Sequence, residues 1–243
     1  GAPNGDQVTF VSDEGVTADN FMTTGTNSGA SVSDTFTAGE AATFADESDN
    51  EVSFGQVNIA DDGADSITDV TVDGFSGSSS VASDALDNLT LRNGSGPTTV
   101  TTTATALDVV LDGVSGTLDD DNDNIEDLTL TAESGSSDTD VDAKSTKNLD
   151  VTANAGLDLS NSDVGSNANA LESVVVSGSG SVTLGDLGTL GDAGTTTNLN
   201  SFNASQNTGG VTATIEGYAG DLASDFDEYV FSEGGDDVTI EID

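Results

Sequence analysis

Cysteine, histidine and tryptophan are all absent from the 243-residue chain, and each absence removes a class of chemistry. Without cysteine there is no disulfide framework and no thiolate nucleophile or ligand. Without histidine the usual general base near neutral pH and the commonest transition-metal ligand are gone. The plentiful Ser and Thr hydroxyls therefore have no imidazole to activate them. With no tryptophan and only Tyr218 and Tyr229, there is little aromatic surface to line a sugar-binding cleft. Positive charge is scarce as well. Arg92, Lys144 and Lys147 stand against 45 Asp and Glu, a formal net charge of −42. No basic patch exists to neutralise phosphates, which excludes nucleic acid as a partner and disfavours an anionic membrane surface. No apolar run approaches the roughly 18 residues of a membrane span, so no membrane insertion is expected. Pro3 and Pro97 are the only prolines, which leaves most segments free to pair as strands.

Such one-sided charge opposes a compact state unless cations screen or bridge it. Low hydrophobicity with high net charge is also the composition of disordered chains. The apolar residues here, however, are gathered into short Val, Leu, Ile, Phe and Thr words, which is what a β core requires. Gly, Ser, Thr, Asn and Asp abundance without cysteine suits a bacterial or archaeal protein made for the outside of the cell. The opening "GAPNGD" lacks Met and reads as a mature or excised fragment.

One word, apolar-x-x-apolar-x-apolar, recurs along the chain. It stands as "ITDVTV" at Ile67, "LDNLTL" at Leu86, "IEDLTL" at Ile125, "LESVVV" at Leu171, "LNSFNA" at Leu199 and "FDEYVF" at Phe226. Looser copies begin at Leu107 and Leu149. A Gly/Ser/Asn turn follows each word, then a second short strand such as "TTVTTTAT", "SVTLGDL", "GVTATIEG" or "DVTIEI". Strand, turn, strand and variable loop form the grammar of a β-solenoid coil, which buries its inward residues by stacking on its neighbours. In the coil from Leu199 the pair Gly209 and Gly210 makes the corner. The expected fold is therefore all-β, a β-solenoid or β-helix-like stack of short strands, with tandem β-sandwiches as the alternative. Helix signals are confined to "SVASDALDNL" and "GYAGDLASDFDEY". Residues 1–65 carry Phe-centred strands at Phe10, Phe21, Phe36, Phe44 and Phe54. They form an N-terminal β region continuous with the stack, and residues 66–243 form the repeat-containing solenoid.

"FMTTGTNSGASVSDTF" (21–36) and "LNSFNASQNTGGVTATI" (199–215) resemble segments of bacterial surface-layer proteins exported by type I secretion. "YVFSEGGDDVTIEI" (229–242) resembles a degenerate glycine-aspartate calcium-binding (RTX-like) repeat. The resemblance implies a calcium-stabilised β-solenoid that self-assembles outside the cell. No strict G-G-x-G-x-D array is present, so calcium sites do not carry over coil by coil; only Gly234, Gly235, Asp236 and Asp237 match.

Calcium takes six to eight oxygen ligands, largely carboxylates and carbonyls. Four acidic clusters have that composition. "LDDDNDNIED" is the densest, with Asp119, Asp120, Asp121, Asp123, Glu126 and Asp127. The alternate spacing of 119, 121 and 123 places three carboxylates on one side of an extended or looped segment, and Asp119, Asp121, Asp123 and Glu126 are the ligand candidates. "ADDGAD" supplies Asp61, Asp62 and Asp65; "DTDVD" supplies Asp138, Asp140 and Asp142. "SDFDEY" with "GGDD" supplies Asp225, Asp227, Asp236 and Asp237. The competing reading of each cluster is a solvated acidic surface of the halophilic kind. None has the ligand register of an EF-hand loop. The lone Arg92 reads as a local charge partner, and no catalytic group is expected. Asn88, Asn93 and Asn203 begin N-glycosylation sequons, which arise by chance in so Asn- and Thr-rich a chain.

The favoured function is an extracellular structural protein that assembles with copies of itself into a surface layer or filament, with Ca2+ as cofactor. Alternatives are a secreted adhesin or biofilm-matrix module binding cell-surface polysaccharide, and a segment of a haloarchaeal cell-wall glycoprotein.

Overall fold

The structure, a computed structural model, describes residues 6–7, 22–23, 31–36, 41–44, 56–61, 67–167, 170–187, 199, 201–217, 228–230 and 237–242. In all of them the regular structure is β, with strands stacked in parallel as a solenoid of about six turns. β1 (Asp6–Gln7) and β2 (Met22–Thr23) form a separate antiparallel pair. β3 (Ser31–Phe36), β4 (Ala41–Phe44) and β5 (Gln56–Asp61) then enter the parallel ladders. Coil after coil follows: β6 (Asp69–Asp73) with β7 (Ser79–Ala82), β8 (Asn88–Arg92) with β9 (Thr98–Thr101), and β10 (Ala106–Asp112) with β11 (Ser115–Asp120). β12 (Asp127–Ala132) with β13 (Ser137–Ala143) comes next, then β14 (Asn148–Ala153) with the short β15 (Leu157–Asp158) and β16 (Asp163–Val164). β17 (Ser173–Gly178) with β18 (Val182–Leu187), β19 (Ser201–Asn207) with β20 (Val211–Gly217), and β21 (Glu228–Val230) with β22 (Asp237–Ile242) complete the stack.

The first strand of each pair joins a nine-stranded sheet in the order β21-β19-β17-β14-β12-β10-β8-β6-β4. The second strands join an eleven-stranded sheet running from β22 to β3, and both sheets pack on one core. The repeated word is the first-sheet strand. Its three apolar positions are buried in the copies at Ile67, Leu86, Ile125, Leu171 and Leu199 (Ile67, Val70 and Val72, for example, or Leu199, Phe202 and Ala204). Leu107 and Leu149, read as looser starts of the word, stack instead with its middle position Leu128. Strand alternation sends these positions inward, and the parallel register sets like on like, as in the row Leu107, Leu128, Leu149, Val174 and Phe202. Each fully buried Leu or Phe stabilises by about 1.5–3 kcal/mol, so stacking rather than any single coil supplies the core.

The helical reading of "SVASDALDNL" is overturned. Ser80–Ala82 end β7 and Asn88 and Leu89 open β8, because Leu86 and Leu89 are claimed by the inward rows of the ladder. The second candidate helix, 217–229, lies mostly outside the described residues, as do Phe10, Phe21 and Phe54.

Corners are tight. At the β19–β20 corner the buried Asn207 uses its Oδ1 to accept the N–H groups of Gly209 (3.0 Å) and Gly210 (2.8 Å), while its Nδ2 donates to Gly180 O (3.0 Å). A Cβ on Gly180 would lie 2.0 Å from Ala155 O, so successive corners touch backbone to backbone.

Candidate functional site

A parallel ladder aligns outward side chains into columns that run along the stack, with neighbours about 4.8 Å apart. In this chain those columns carry the carboxylates. On the first sheet one column reads Asp69, Asn88, Asp108, Thr129, Asp150, Val175 and Asn203. Asn88 donates its Nδ2 to Asp69 Oδ1 at 2.8 Å, and Asn148 does the same to Asp127 at 2.6 Å. Asn93, in the following turn with φ 49°, donates to Asp73 at 2.7 Å. Two of the three sequon asparagines thus serve as amide partners of carboxylates one coil away.

The three basic residues are spent within such columns. Arg92 stands between Asp73 and Asp112 in register; its Nη2 lies 2.9 Å from Glu133 and its Nε 3.8 Å from Asp112. The Gly135 N–H donated to Asp112 Oδ1 (2.6 Å) is the main force holding that carboxyl below its usual range. The Ser134 hydroxyl and Arg92 add to this, while burial opposes it. Lys147 sits 2.8 Å from Glu126, and its backbone is bonded between Glu126 and Glu172, the hydrogen bond to Glu126 raising its pKa.

The second sheet holds the densest column: Asp119, Asp142 and Asp163 follow one another on β11, β13 and β16. Lys144 Nζ hydrogen-bonds Asp142 Oδ2 at 2.7 Å, which raises the lysine pKa. It also lies 2.6 Å from Asp142 Oδ1, a buried oxygen that makes no hydrogen bond of its own. Partial burial pushes the Asp119 carboxyl up, and Asp142, Asp121 and Asp123 push further while Lys144 opposes them. Asp119 is thus within electrostatic reach of Asp121 and Asp123. Asp119 points out from the strand, Asp121 is exposed beyond its end, and Asp123 turns the chain at φ 50°. Glu126 is taken up by Lys147. Asp138 is exposed between Ser115 and Asp158, and Asp140 is half-buried beside Thr117.

For Asp61, at the end of β5, and Asp237, at the start of β22, the backbone alone is placed. Asp62, Asp65, Asp225, Asp227 and Asp236 lie outside the described residues. Among the described residues no three acidic side chains gather closely enough to form a ready-made metal site.

One carboxyl escaped the pattern. Asp120 falls on the inward phase of β11 and is 4 % exposed. Its Oδ2 accepts the Ile125 N–H at 2.9 Å, and its Oδ1 makes no hydrogen bond. Burial raises its pKa against the pull of the Ile125, Asn124 and Asn122 amides. A cavity of about 10 Å³ lies beside it, lined by Val100, Leu107, Leu118, Ile125, Leu128 and Val141 among others. The sequence placed Asp120 in the acidic cluster, and period-two alternation from Leu118 was the signal that could have set it apart as inward-facing.

With this geometry in place, comparison with known proteins returns nothing: no family model, no curated protein and no solved structure matches the chain.

Proposed function

We propose that the chain is an extracellular structural protein that assembles with copies of itself into a surface layer or filament, and that calcium draws its carboxylate columns together. The observation that carries this reading is the column of Asp119, Asp142 and Asp163, three carboxylates in register with only Lys144 to offset them. Arg92, Lys144 and Lys147 are all engaged in ion pairs, so further neutralisation has to come from solution. Calcium, an oxygen-seeking divalent ion that tolerates irregular geometry, suits such a surface. Parallel coils also supply strand edges on which a further copy can add. The resemblance to type I secreted surface-layer proteins supports secretion to the cell surface, with cell-surface polysaccharide as a second candidate partner. In this reading the work is mechanical and no residue is catalytic.

A second reading, a fold held by high monovalent salt, is favoured by the lack of any gathered group of three acids among the described residues. Chelation separates the two. Circular dichroism and negative-stain microscopy with EDTA at constant ionic strength should show loss of fold and of assemblies under the calcium reading. Retention of both in EDTA, with loss only when sodium chloride is lowered, would leave the salt reading.

A further inference from the structure

The second sheet is broken at one coil. β13 pairs with β11 over five successive residues, from Ser115↔Asp138 to Asp119↔Asp142. On its other edge it meets two fragments: β15 at Ser137↔Leu157 and Asp138↔Asp158, and β16 at Asp142↔Asp163 and Ala143↔Val164. Residues 159–162 lie between them, one more than the three residues of β13 opposite; Leu159 stays in the core, and the excess is taken up at 160–162. The gap is plugged by a side chain. Ser162 Oγ accepts the Val141 N–H at 2.9 Å and lies 3.4 Å from Thr139 O, to which it donates.

The consequence reaches the next coil. Among the described residues β16 pairs with β13 alone. β18 meets the broken strand only at Leu157↔Val182 and Asp158↔Thr183, so residues 184–187 have no ladder partner on that edge. There Gly185 adopts φ 67° with the Ser160 carbonyl packed where a Cβ would go, 2.5 Å away, and the β18–β20 register shifts at the same place. The first sheet crosses the same level intact, with six paired residues from Asn148↔Ser173 to Ala153↔Gly178. Coil length changes here as well: Asn148 stacks on Asp127 21 residues away, whereas Ser177 stacks on Thr152 25 residues away.

We propose that the level of residues 157–187 is a built-in mechanical joint. Between β14 and β17 the first sheet acts as a continuous strap, while the second sheet is free to open. In a stack where each coil is stabilised by its neighbours, a weakened interface divides the rod into two cooperative blocks. The coils up to β14 form one block and those from β17 onward the other. The inference rests on strand pairing alone and stands whether or not calcium or self-assembly is involved.

The test is hydrogen exchange on the full chain in high monovalent salt, with and without calcium, alongside urea unfolding followed by the same exchange readout. The amides of Val141 and residues 184–187 should exchange well ahead of those in β10, β12 and β14, and unfolding should proceed in two steps divided at this level. Ser162→Ala should speed exchange at Val141 by about tenfold, the loss of one hydrogen bond, with Ser162→Thr restoring it. Uniform protection from 106 to 217 with a single unfolding step would overturn the proposal. Should Ser162→Ala fail to fold, the unmodified chain still decides through its number of steps and the position of early exchange.

Discussion

Asp120 is the one charged side chain among the described residues that the core buries, and its pKa is raised. A carboxyl whose folded pKa exceeds its unfolded one contributes stability below the ordinary aspartate range, and loses it as pH rises through the folded value. Above the ordinary aspartate range the carboxyl therefore works against the fold. Asp120→Asn keeps an acceptor for the Ile125 N–H and removes the charge. It should stabilise by about 1 kcal/mol at pH 7 and by nothing near pH 3, read from urea midpoints. Asp112 has the opposite sign: its pKa is lowered, so its contribution is present above the ordinary range and fades as pH falls. Asp112→Asn should cost about 1 kcal/mol at pH 7, and a cost that persists undiminished near pH 2 would refute the assignment. At this scale the sequence was only partly legible. The outward acids could be named, but the role of each depended on which residue lay one coil away, and spacing in the chain does not say that. The pairing of Asp119 with Asp142 crosses a 23-residue coil, whereas Asn88 lies 19 residues from Asp69.

Strands were far easier to read than their partners. The recurring word works because Leu86, Leu89 and Leu91, or Ile125, Leu128 and Leu130, are both the sequence pattern and the buried row. The helical misreading of 80–89 shows the limit of local propensity, since small residues around Ser83 suit a helix until stacked rows claim the leucines. The split between β15 and β16 was illegible for a related reason: "LDLSNSDVG" alternates well enough to pass for a whole strand, and only the fixed length of β13 opposite exposes the extra residue. Corner glycines were visible as turns, but their closeness was not. Gly180→Ala places a Cβ against the Ala155 carbonyl and should destabilise by roughly 2 kcal/mol or more. A midpoint within error of the parent would mean that the corner can yield.

At the level of the whole molecule the dominant quantity is the net charge of −42. Self-repulsion is relieved as the Debye length falls from about 30 Å at 0.01 M salt to about 10 Å at 0.1 M. The thermal midpoint should therefore climb steeply over that interval and flatten above it. A midpoint insensitive to sodium chloride across this range would show that repulsion does not limit the fold. Whether calcium adds a further increment at fixed ionic strength is a separate reading, since a ligand bound by the folded state stabilises by mass action.

The first-sheet column that runs Asp69, Asn88, Asp108, Thr129, Asp150 places a fixed charge on every second coil. At about 4.8 Å per coil the charges repeat near 9.6 Å, beyond the Debye length of about 8 Å at physiological ionic strength. Asp119, Asp142 and Asp163 repeat at half that distance, inside it. The rod thus has two lines of different charge density. One line is already screened from itself in ordinary saline; along the other, neighbouring carboxylates still feel one another, with Lys144 alone set among them.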